Sequence, residues 1–463
     1  MEGDDLNMRR SMNRTTIVVL LAMGVLVMQT ETLCAQAERQ RVQYEPTWES
    51  LDKHQTPEWL MDAKLGLFIY PAHMTEEEWR RWVEKNGELP GVSHHVGVDE
   101  FTHQGATWKD VKWDPDRLVD LALKMGARYV VWGPEANSFF LKHPSSVADI
   151  EGSPFSQMGE PGRDYTQEIA DAVRRRGLRF GMYVNYIHPG RHPTWFTVMK
   201  ERIERYQPRT LWLDGDKMGD TADNLRSREL AAMYYNLSKN PEDVSIEDAL
   251  GSHKRATWGK SLAHGDWYRK EMSSPATEIS DGFYIRYAEY FIRDWHQTTD
   301  RPHGLIAGYI YWLCQTASHG GNLEISVWAS PDSLLEEMHR TMHHLGDWLY
   351  VNGEAIYETR PWHDGKPQTK TTSGIDVRFT TRGDSLYAIL FDWPDTEFAI
   401  ANLRAEPGTE VTLLGRQLDT HQVTGTQTEE GFRVHIPRTG TYDARRSCRT
   451  CARAMARRFA CLA

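Results

Sequence analysis

Short apolar runs alternate with amphipathic, helix-like segments through most of this chain. The apolar residues of these runs are consecutive, which is typical of parallel strands buried on both faces. The runs predict strands at residues 65–70, 127–133, 178–185, 210–214, 244–248, 308–313 and 322–326. The pattern therefore predicts an α/β domain built on a parallel sheet.

Two of the intervening segments carry clear helix boundary signals. Asp114 followed by Pro115 is typical of a helix N-terminus, and Gly126 is typical of the residue after its end. Asp164 and Gly177 bound a second segment in the same way. Repeated strand–helix units of this kind predict either a doubly wound sheet or a (β/α)8 barrel.

The pattern changes after residue 362. Short segments of alternating polarity follow, separated by Gly, Asp and Pro, and they predict antiparallel β-structure. We expect an α/β domain over residues 45–362 and a small β-sandwich over 365–443. The last residues, 444–463, are rich in Arg and lack acids, and we expect this basic tail to be disordered.

The first 37 residues have the pattern of a secretory signal peptide. Arg9, Arg10 and Arg14 precede an apolar run at 17–28, and the sequence Ala-Gln-Ala at 35–37 offers small residues for cleavage. The run is shorter than the ~20 residues of a membrane-spanning helix. We therefore expect a secreted or periplasmic protein with residues 1–37 removed and with no stable membrane insertion.

The charge, the cysteines and the histidines argue against several kinds of partner and site. A formal net charge of −11 argues against a nucleic-acid partner. Only Cys314 lies in the body of the expected mature chain, so the sequence predicts no disulfide framework. Histidine pairs occur at 94–95 and 343–344, but adjacent side chains are expected to point apart, so we interpret them as surface residues and predict no metal site.

The run at 210–214 ends on an acid. Asp214 is followed by Gly215 and Asp216, which could simply form a turn. In α/β proteins, however, reactive groups lie where parallel strands end and loops begin. Asp214 is therefore a candidate site residue.

Several segments, in order between about residues 45 and 440, together resemble the retaining α-L-fucosidases of glycoside hydrolase family 29. The segments include AKLGLFIY, GRDYTQEIADAVRRRGLRFGMYVNY, YQPRTLWLDGD, GGNLEIS and LGDWLYVNGEAIYETRPW. The resemblance implies a (β/α)8-like barrel followed by a C-terminal β-sandwich. It also implies a secreted retaining exo-glycosidase that uses no cofactor and removes a terminal sugar from a glycan or glycoconjugate.

The resemblance assigns two catalytic carboxyl groups. In a retaining mechanism one carboxylate attacks the anomeric carbon, while its partner protonates the leaving oxygen and then activates water. By position the nucleophile is Asp214. The acid/base falls on Glu271, five residues after Asp266 in HGDWYRKEMSS, with Glu278 as the nearby alternative.

The resemblance also implies sugar contacts. Glu78, Trp79 and Tyr183 match family contacts, and Trp212 and Trp267 are expected to form pocket walls; core packing is the alternative for Trp212.

Other sugar-binding positions depart from the family pattern. Tyr70 replaces a family histidine, Ala136 and Asn137 replace a histidine pair, and Ala249 replaces an arginine. Tyr70, Asn137 and Glu247 could then recognise a different sugar. The alternatives to an α-L-fucosidase are a glycosidase for another sugar and a non-catalytic glycan-binding descendant.

Overall fold

The computed structural model of the chain describes residues 42–51, 53–70, 80, 84, 112–136, 140–157, 159–185, 194–214, 226–248, 268–271, 284–289, 304–328, 332–362, 369–394, 396–401, 403–414, 423–436 and 459–462. The chain divides into two compact units, residues 1–44 and 45–463. All elements described below belong to the second unit.

Eight of the described strands form a single sheet in which every neighbouring pair is parallel. They are β1 (Leu65–Tyr70), β2 (Tyr129–Trp132), β6 (Arg179–Asn185), β7 (Thr210–Asp214), β8 (Ser245–Asp248), β9 (Tyr268–Glu271), β10 (Tyr284–Glu289) and β11 (Asn322–Trp328). Their order across the sheet is β8-β7-β6-β2-β1-β11-β10-β9. The parallel sheet predicted from the apolar runs is thereby confirmed.

Helices separate most of these strands. In the described part of the chain they are α1 (Trp48–Leu51), α2 (Glu58–Ala63), α3 (Pro115–Met125), α4 (Tyr165–Arg175), α5 (Trp195–Tyr206), α6 (Ser227–Leu237), α7 (Gly304–Ser318) and α8 (Asp332–Asn352). Within the same residues, no helix combines the length and the apolar character needed to cross a lipid bilayer.

The predicted helix boundaries are confirmed for α3 and α4. The Asp114 side chain accepts a hydrogen bond from the Arg117 amide at 3.0 Å, and Gly126 follows α3 in the left-handed conformation at φ 88°. Asp164 accepts from the Gln167 amide at 2.8 Å at the start of α4. Side-chain caps and a left-handed glycine satisfy backbone groups that a helix leaves unpaired, which explains these boundaries.

The predicted strand at 308–313 is wrong, because these residues lie inside α7. The apolar run begins earlier, at Leu305, and ends at Cys314, and an apolar stretch can form either a buried strand or a buried helix. Two strands of the parallel sheet, β9 and β10, were not predicted, since their sequences YRKE and YIRYAE lack a continuous apolar run.

The chain after residue 359 forms two antiparallel sheets. The larger contains β12 (Arg360–Pro361), β13 (Val377–Arg382), β14 (Ser385–Leu390), β16 (Val411–Leu414) and β19 (Phe459–Leu462). The smaller contains β15 (Glu397–Ile400), β17 (Thr424–Thr428) and β18 (Gly431–His435). Buried residues of both sheets belong to one hydrophobic core, including Phe379, Leu390, Ile400 and Val434. The predicted antiparallel β-structure is thereby confirmed.

The strand β19 differs from the disorder expected of the basic tail. It lies between β14 and β16 and pairs with both in antiparallel register. Its sequence, FACL, is the apolar part of the tail, so these four residues suit a sheet better than the arginine-rich residues around them.

The larger antiparallel sheet packs against helix α7 through a buried arginine. The Nε of Arg378 donates to the side-chain oxygen of Gln315, and its Nη2 donates to the Tyr311 hydroxyl at 3.2 Å. The Tyr311 ring also contacts Phe391, with centroids 5.0 Å apart. These contacts hold the larger antiparallel sheet against α7.

Candidate active site

The carboxyl ends of the parallel strands bring the predicted catalytic positions to one edge of the sheet. Asp214 is the last residue of β7, in register with Asn185, the last residue of β6. Glu271 is the last residue of β9, and Tyr70 ends β1. Parallel strands end on the same side, so the backbone places all of these residues along a single edge.

An aromatic cluster lies beneath that edge. Phe68 contacts Tyr183 and Trp212 with ring centroids 5.1 and 4.6 Å apart, and Tyr183 meets Trp212 edge to face at 4.6 Å. Trp212 is 5% exposed and Tyr183 is 4% exposed. Edge-to-face packing of this kind fixes the ring positions. Tyr183 and Trp212 therefore form a rigid floor two residues before the ends of their strands.

The packing of a tyrosine ring of β2 over β1 depends on a glycine. A Cβ added to Gly66 in β1 would lie 2.4 Å from the ring of Tyr129 in β2, so the tyrosine ring occupies the space above the glycine. This ring belongs to the same buried cluster as Phe68 and Trp212. The small residue in LGLFIY thus lets large aromatic residues fill the interior beside β1.

Several predicted site residues cannot be placed. Glu78, Trp79, Asn137 and Trp267 lie outside the described residues, as do Asp266 and Glu278. Glu247 lies in β8 in register with Trp212, one position before the end of that strand.

A small hairpin follows β2 at the same edge. Its strands are β3 (Glu135–Ala136) and β4 (Phe140–Leu141), which pair antiparallel, and β4 also pairs with β5 (Ser156–Gln157). Residues 137–139 join β3 to β4, so the position predicted to contact the sugar, Asn137, belongs to this connection.

Helix α5 holds the chain that leaves the hairpin. The Nε of Arg202 donates to Nε2 of His143 at 3.0 Å, and the Nη1 of Arg205 donates to the Pro144 carbonyl at 2.7 Å. The carboxylate of Glu201 accepts from the hydroxyl of Ser145. Together these contacts anchor residues 143–145 to one face of α5, which we call the α5 clamp.

The clamp requires a neutral imidazole. Burial lowers the pKa of His143 well below its ordinary value, and the positive charge of Arg202 lowers it further. A neutral imidazole offers one nitrogen as an acceptor and the other as a donor. Here Nε2 accepts from Arg202 and Nδ1 donates to the Pro144 carbonyl at 3.2 Å.

Two buried residues of the sheet were not singled out by the sequence. Phe68 links Tyr183 to Trp212, and its only signal was its place in the first apolar run. Glu324 is fully buried in β11, in register with Gly66 and Tyr287, and its signal was an acid inside the run NLEIS. Trp328, not Glu324, ends β11, so this acid lies below the carboxyl edge.

One group of the described side chains could hold a metal ion. It consists of His343, His344 and Asp347 on α8. The expectation that adjacent histidines point apart is wrong for His343 and His344, since their ring centroids are 3.9 Å apart. The pair at 94–95 lies outside the described residues. Neighbouring residues on a helix differ by only about 100° around its axis. With a rise of 1.5 Å per residue, His343 is ~16 Å along α8 from the start of the helix at Asp332, away from the carboxyl edge.

Known proteins resemble this chain over most of its length. The sequence matches the family model described as Alpha-L-fucosidase over residues 31–354. It is 30% identical to the tissue alpha-L-fucosidase of Bos taurus over 413 aligned residues, covering 81% of this chain and 84% of the bovine protein. It is 27% identical to the tissue alpha-L-fucosidase of Homo sapiens, covering 85% of this chain and 88% of the human protein.

A solved structure has the same fold. The crystal structure of Thermotoga maritima alpha-fucosidase superimposes with a TM-score of 0.61 at 23% identity, covering 91% of this chain and all of that protein. The same protein has also been solved in complex with fucose. The family match extends over well more than half of the chain, and it agrees with the resemblance seen in the strand and loop motifs. The chain therefore belongs to the α-L-fucosidase family and is a glycoside hydrolase.

Proposed function

We propose that this protein is a retaining exo-glycosidase in which Asp214 is the nucleophile and Glu271 is the acid/base. The observation that carries the proposal is the position of Asp214, the terminal residue of β7 at the carboxyl edge of an all-parallel sheet. The family's chemistry needs a carboxylate at such a strand end, and the segment TLWLDGD supplies one.

The shape of the site follows from closure of the sheet. We propose that β8 and β9, the two ends of the strand order, complete a (β/α)8-like barrel. Their Cα atoms approach within 8 Å, which supports this closure. In a closed barrel Asp214 on β7 and Glu271 on β9 are separated by a single strand, and two carboxyl groups in a retaining site stand about 5–5.5 Å apart.

The reaction then proceeds in two displacements. The Asp214 carboxylate attacks the anomeric carbon as Glu271 gives its proton to the departing glycosidic oxygen, leaving a glycosyl ester on Asp214. Glu271, now ionised, takes a proton from water, and the resulting attack on the anomeric carbon releases the sugar and frees Asp214. The buried cluster of Phe68, Tyr183 and Trp212 supports β6 and β7 from below, which limits movement of Asp214 during both steps.

The substrate is a terminal sugar of a glycan or glycoconjugate. Related proteins named alpha-L-fucosidase and the fucose complex of the Thermotoga maritima protein support an α-L-fucoside. The replacements at Tyr70, Ala136, Asn137 and Ala249 remove donors that the family directs at fucose. A site built for particular hydroxyls rejects a sugar strongly when partners are missing. We therefore propose weak activity on α-L-fucosides or a preference for another sugar.

A panel of aryl glycosides tests the activity and the sugar together. The purified mature protein is assayed on α-L-fucoside, α-L-galactoside and β-D-galactoside, with Asp214→Ala as the inactive variant and Asp216→Ala as the matched control. We expect turnover of at least one glycoside by the wild type and the Asp216 variant, and none by the Asp214 variant. Tight glycan binding without turnover of any glycoside would instead favour a non-catalytic glycan-binding protein.

We also propose that the protein is exported and that residues 1–37 are removed. The support is the sequence pattern of basic, apolar and small residues in that segment. N-terminal sequencing of the protein purified from the culture medium or periplasm of an expressing bacterium tests this, and a start near residue 38 is expected. Recovery of the intact N-terminus in the cytoplasm would contradict it.

A further inference from the structure

Helix α8 has one buried face and one outward face. Met342, Leu345 and Leu349 are buried with exposed fractions of 4% or less. His343, His344 and Asp347 lie between them and are intermediate or exposed. The spacing of three and four residues brings these polar side chains together on the outward face.

The three polar side chains present their ligand atoms to a common point. One ligand atom from each residue lies within 4.8 Å of the other two. Nε2 of His343 is 3.9 Å from a carboxylate oxygen of Asp347, and the two imidazole centroids are 3.9 Å apart. Small rotations of these partly exposed side chains are enough to bring the three atoms within the first shell of one ion, where ligand bonds are about 2.0–2.2 Å.

The backbone that carries this group is rigid. Gly346 packs against α3 so closely that an added Cβ would lie 1.9 Å from the carbonyl oxygen of Lys124. About two helical turns before Gly346, Nε2 of His339 donates to the carbonyl oxygen of Arg117 at 3.0 Å. Both contacts hold α8 against α3, so the ligands project from a fixed segment and little backbone entropy is lost on binding.

We propose that His343, His344 and Asp347 form a binding site for a divalent transition-metal ion such as Zn²⁺. Two imidazole nitrogens and one carboxylate oxygen suit Zn²⁺, Ni²⁺ and Cu²⁺, whereas Mg²⁺ and Ca²⁺ prefer all-oxygen sites. Water completes the coordination, because three protein ligands leave positions open. The site is separate from the proposed catalytic edge and does not depend on the proposed function.

The charge of the group also favours a cation. The Asp347 carboxylate lies beside both imidazoles and supplies negative charge to a bound ion.

Titration calorimetry with ZnCl₂ on the mature protein, residues 38–463, tests the site. Histidines elsewhere in the chain can bind Zn²⁺, so the comparison is between variants. We expect the double variant His343→Ala/His344→Ala to bind one equivalent fewer than the wild type, and Asp347→Asn to bind that equivalent more weakly. His435→Ala removes an exposed histidine from β18 and serves as the matched control, with the wild-type stoichiometry retained.

Thermal unfolding provides the second readout. In EDTA the double variant is expected to unfold at the temperature of the control, which shows that it is folded. In ZnCl₂ the melting temperature of the control rises further than that of the double variant, because an ion that binds only the folded state stabilises it. An identical Zn²⁺ stoichiometry and an identical Zn²⁺-induced shift in the double variant and the control would overturn the proposal.

Discussion

The Nε of Arg202 donates a hydrogen bond to Nε2 of His143 at 3.0 Å, and both side chains are fully buried. A protonated imidazole has no free lone pair, so this bond exists only while His143 is neutral. This hydrogen bond joins α5, the helix that precedes β7, to the chain that leaves the β3–β4 hairpin. It therefore couples two segments that meet the carboxyl edge of the sheet.

The first prediction concerns acid stability. Burial, together with Arg202 and Arg205, lowers the folded-state pKa of His143 well below 6.5. Below pH 6.5 the unfolded chain binds a proton at this residue that the folded chain does not, so the free energy of unfolding falls as the pH decreases. His143→Gln keeps an acceptor for Arg202 but cannot titrate.

Urea unfolding between pH 7.5 and 5.0 measures this effect. The wild type is expected to lose stability more steeply with falling pH than His143→Gln, although the variant is less stable at pH 7.5. Parallel pH dependences for the two proteins would show that His143 is not the group responsible.

The second prediction concerns the contact between α8 and α3. Gly346→Ala places a methyl group against the backbone carbonyl of Lys124, which cannot rotate away. We expect the free energy of unfolding to fall by ~1–3 kcal/mol, as is typical of overpacking. Thermal or urea denaturation measures the change.

Gly308→Ala is the matched control for that substitution. Gly308 also lies in a helix, α7, but its added Cβ meets nothing within 4 Å. Alanine is the better helix former by roughly 0.5–1 kcal/mol, so this variant is expected to be more stable than the wild type. Equal effects at the two positions would refute the steric argument.

The third prediction concerns Lys64, a fully buried residue between α2 and β1. Burial lowers its pKa to about 7, with a further decrease from Arg360 and an opposing effect of Asp62. From pH 7 to 10.5 the unfolded chain binds more protons at this residue, so its contribution makes the free energy of unfolding rise with pH across that window. Below pH 7 the charged ammonium is buried at a cost, since each unit of pKa shift corresponds to roughly 1.4 kcal/mol.

Lys64→Met keeps the length of the side chain and removes the charge. The variant is expected to be more stable than the wild type at pH 6, and the difference should shrink steadily as the pH rises towards 10.5. Denaturant unfolding at several pH values measures it. A variant that is less stable than the wild type at pH 6 would mean that the ammonium makes a favourable interaction.

The fourth prediction distinguishes the two candidate acid/base residues. Good leaving groups need little protonation, so Glu271→Ala should lose far less activity on activated aryl glycosides than on unactivated ones. Added azide should restore its turnover, because a small anion can attack the glycosyl ester without base assistance. Kinetics of Glu271→Ala and Glu278→Ala with and without azide distinguish the two residues. Azide rescue of the Glu278 variant alone would identify Glu278, and not Glu271, as the acid/base.

The sequence predicts those parts of the fold that depend on local signals. The bounds of β1 and β7 agree with the predicted runs 65–70 and 210–214, because a polar or turn-forming residue ends each run. The predicted strand at 308–313 is wrong because an apolar stretch contains no period that separates helix from strand.

The remaining features of the fold and of the candidate site depend on tertiary contacts. His143 and Arg202 are 59 residues apart, and nothing in either local sequence indicates the bond between them. Phe68 belongs to the candidate site through its contacts with Tyr183 and Trp212, which the local sequence around Phe68 does not indicate. The strand end at Asp214 was predictable, because an acid directly after an apolar run is visible in the sequence itself.

Covalent trapping is the most direct test of the proposed mechanism. The protein is incubated with the 2-deoxy-2-fluoro glycosyl fluoride of its preferred sugar, digested with trypsin and analysed by mass spectrometry. We predict one fluoroglycosyl group on the peptide that contains Asp214, and fragmentation is expected to locate it on that residue rather than on Asp216. No label is expected on the Asp214→Ala variant. Labelling of another carboxylate, or turnover without any covalent adduct, would contradict the assignment of Asp214 as the nucleophile.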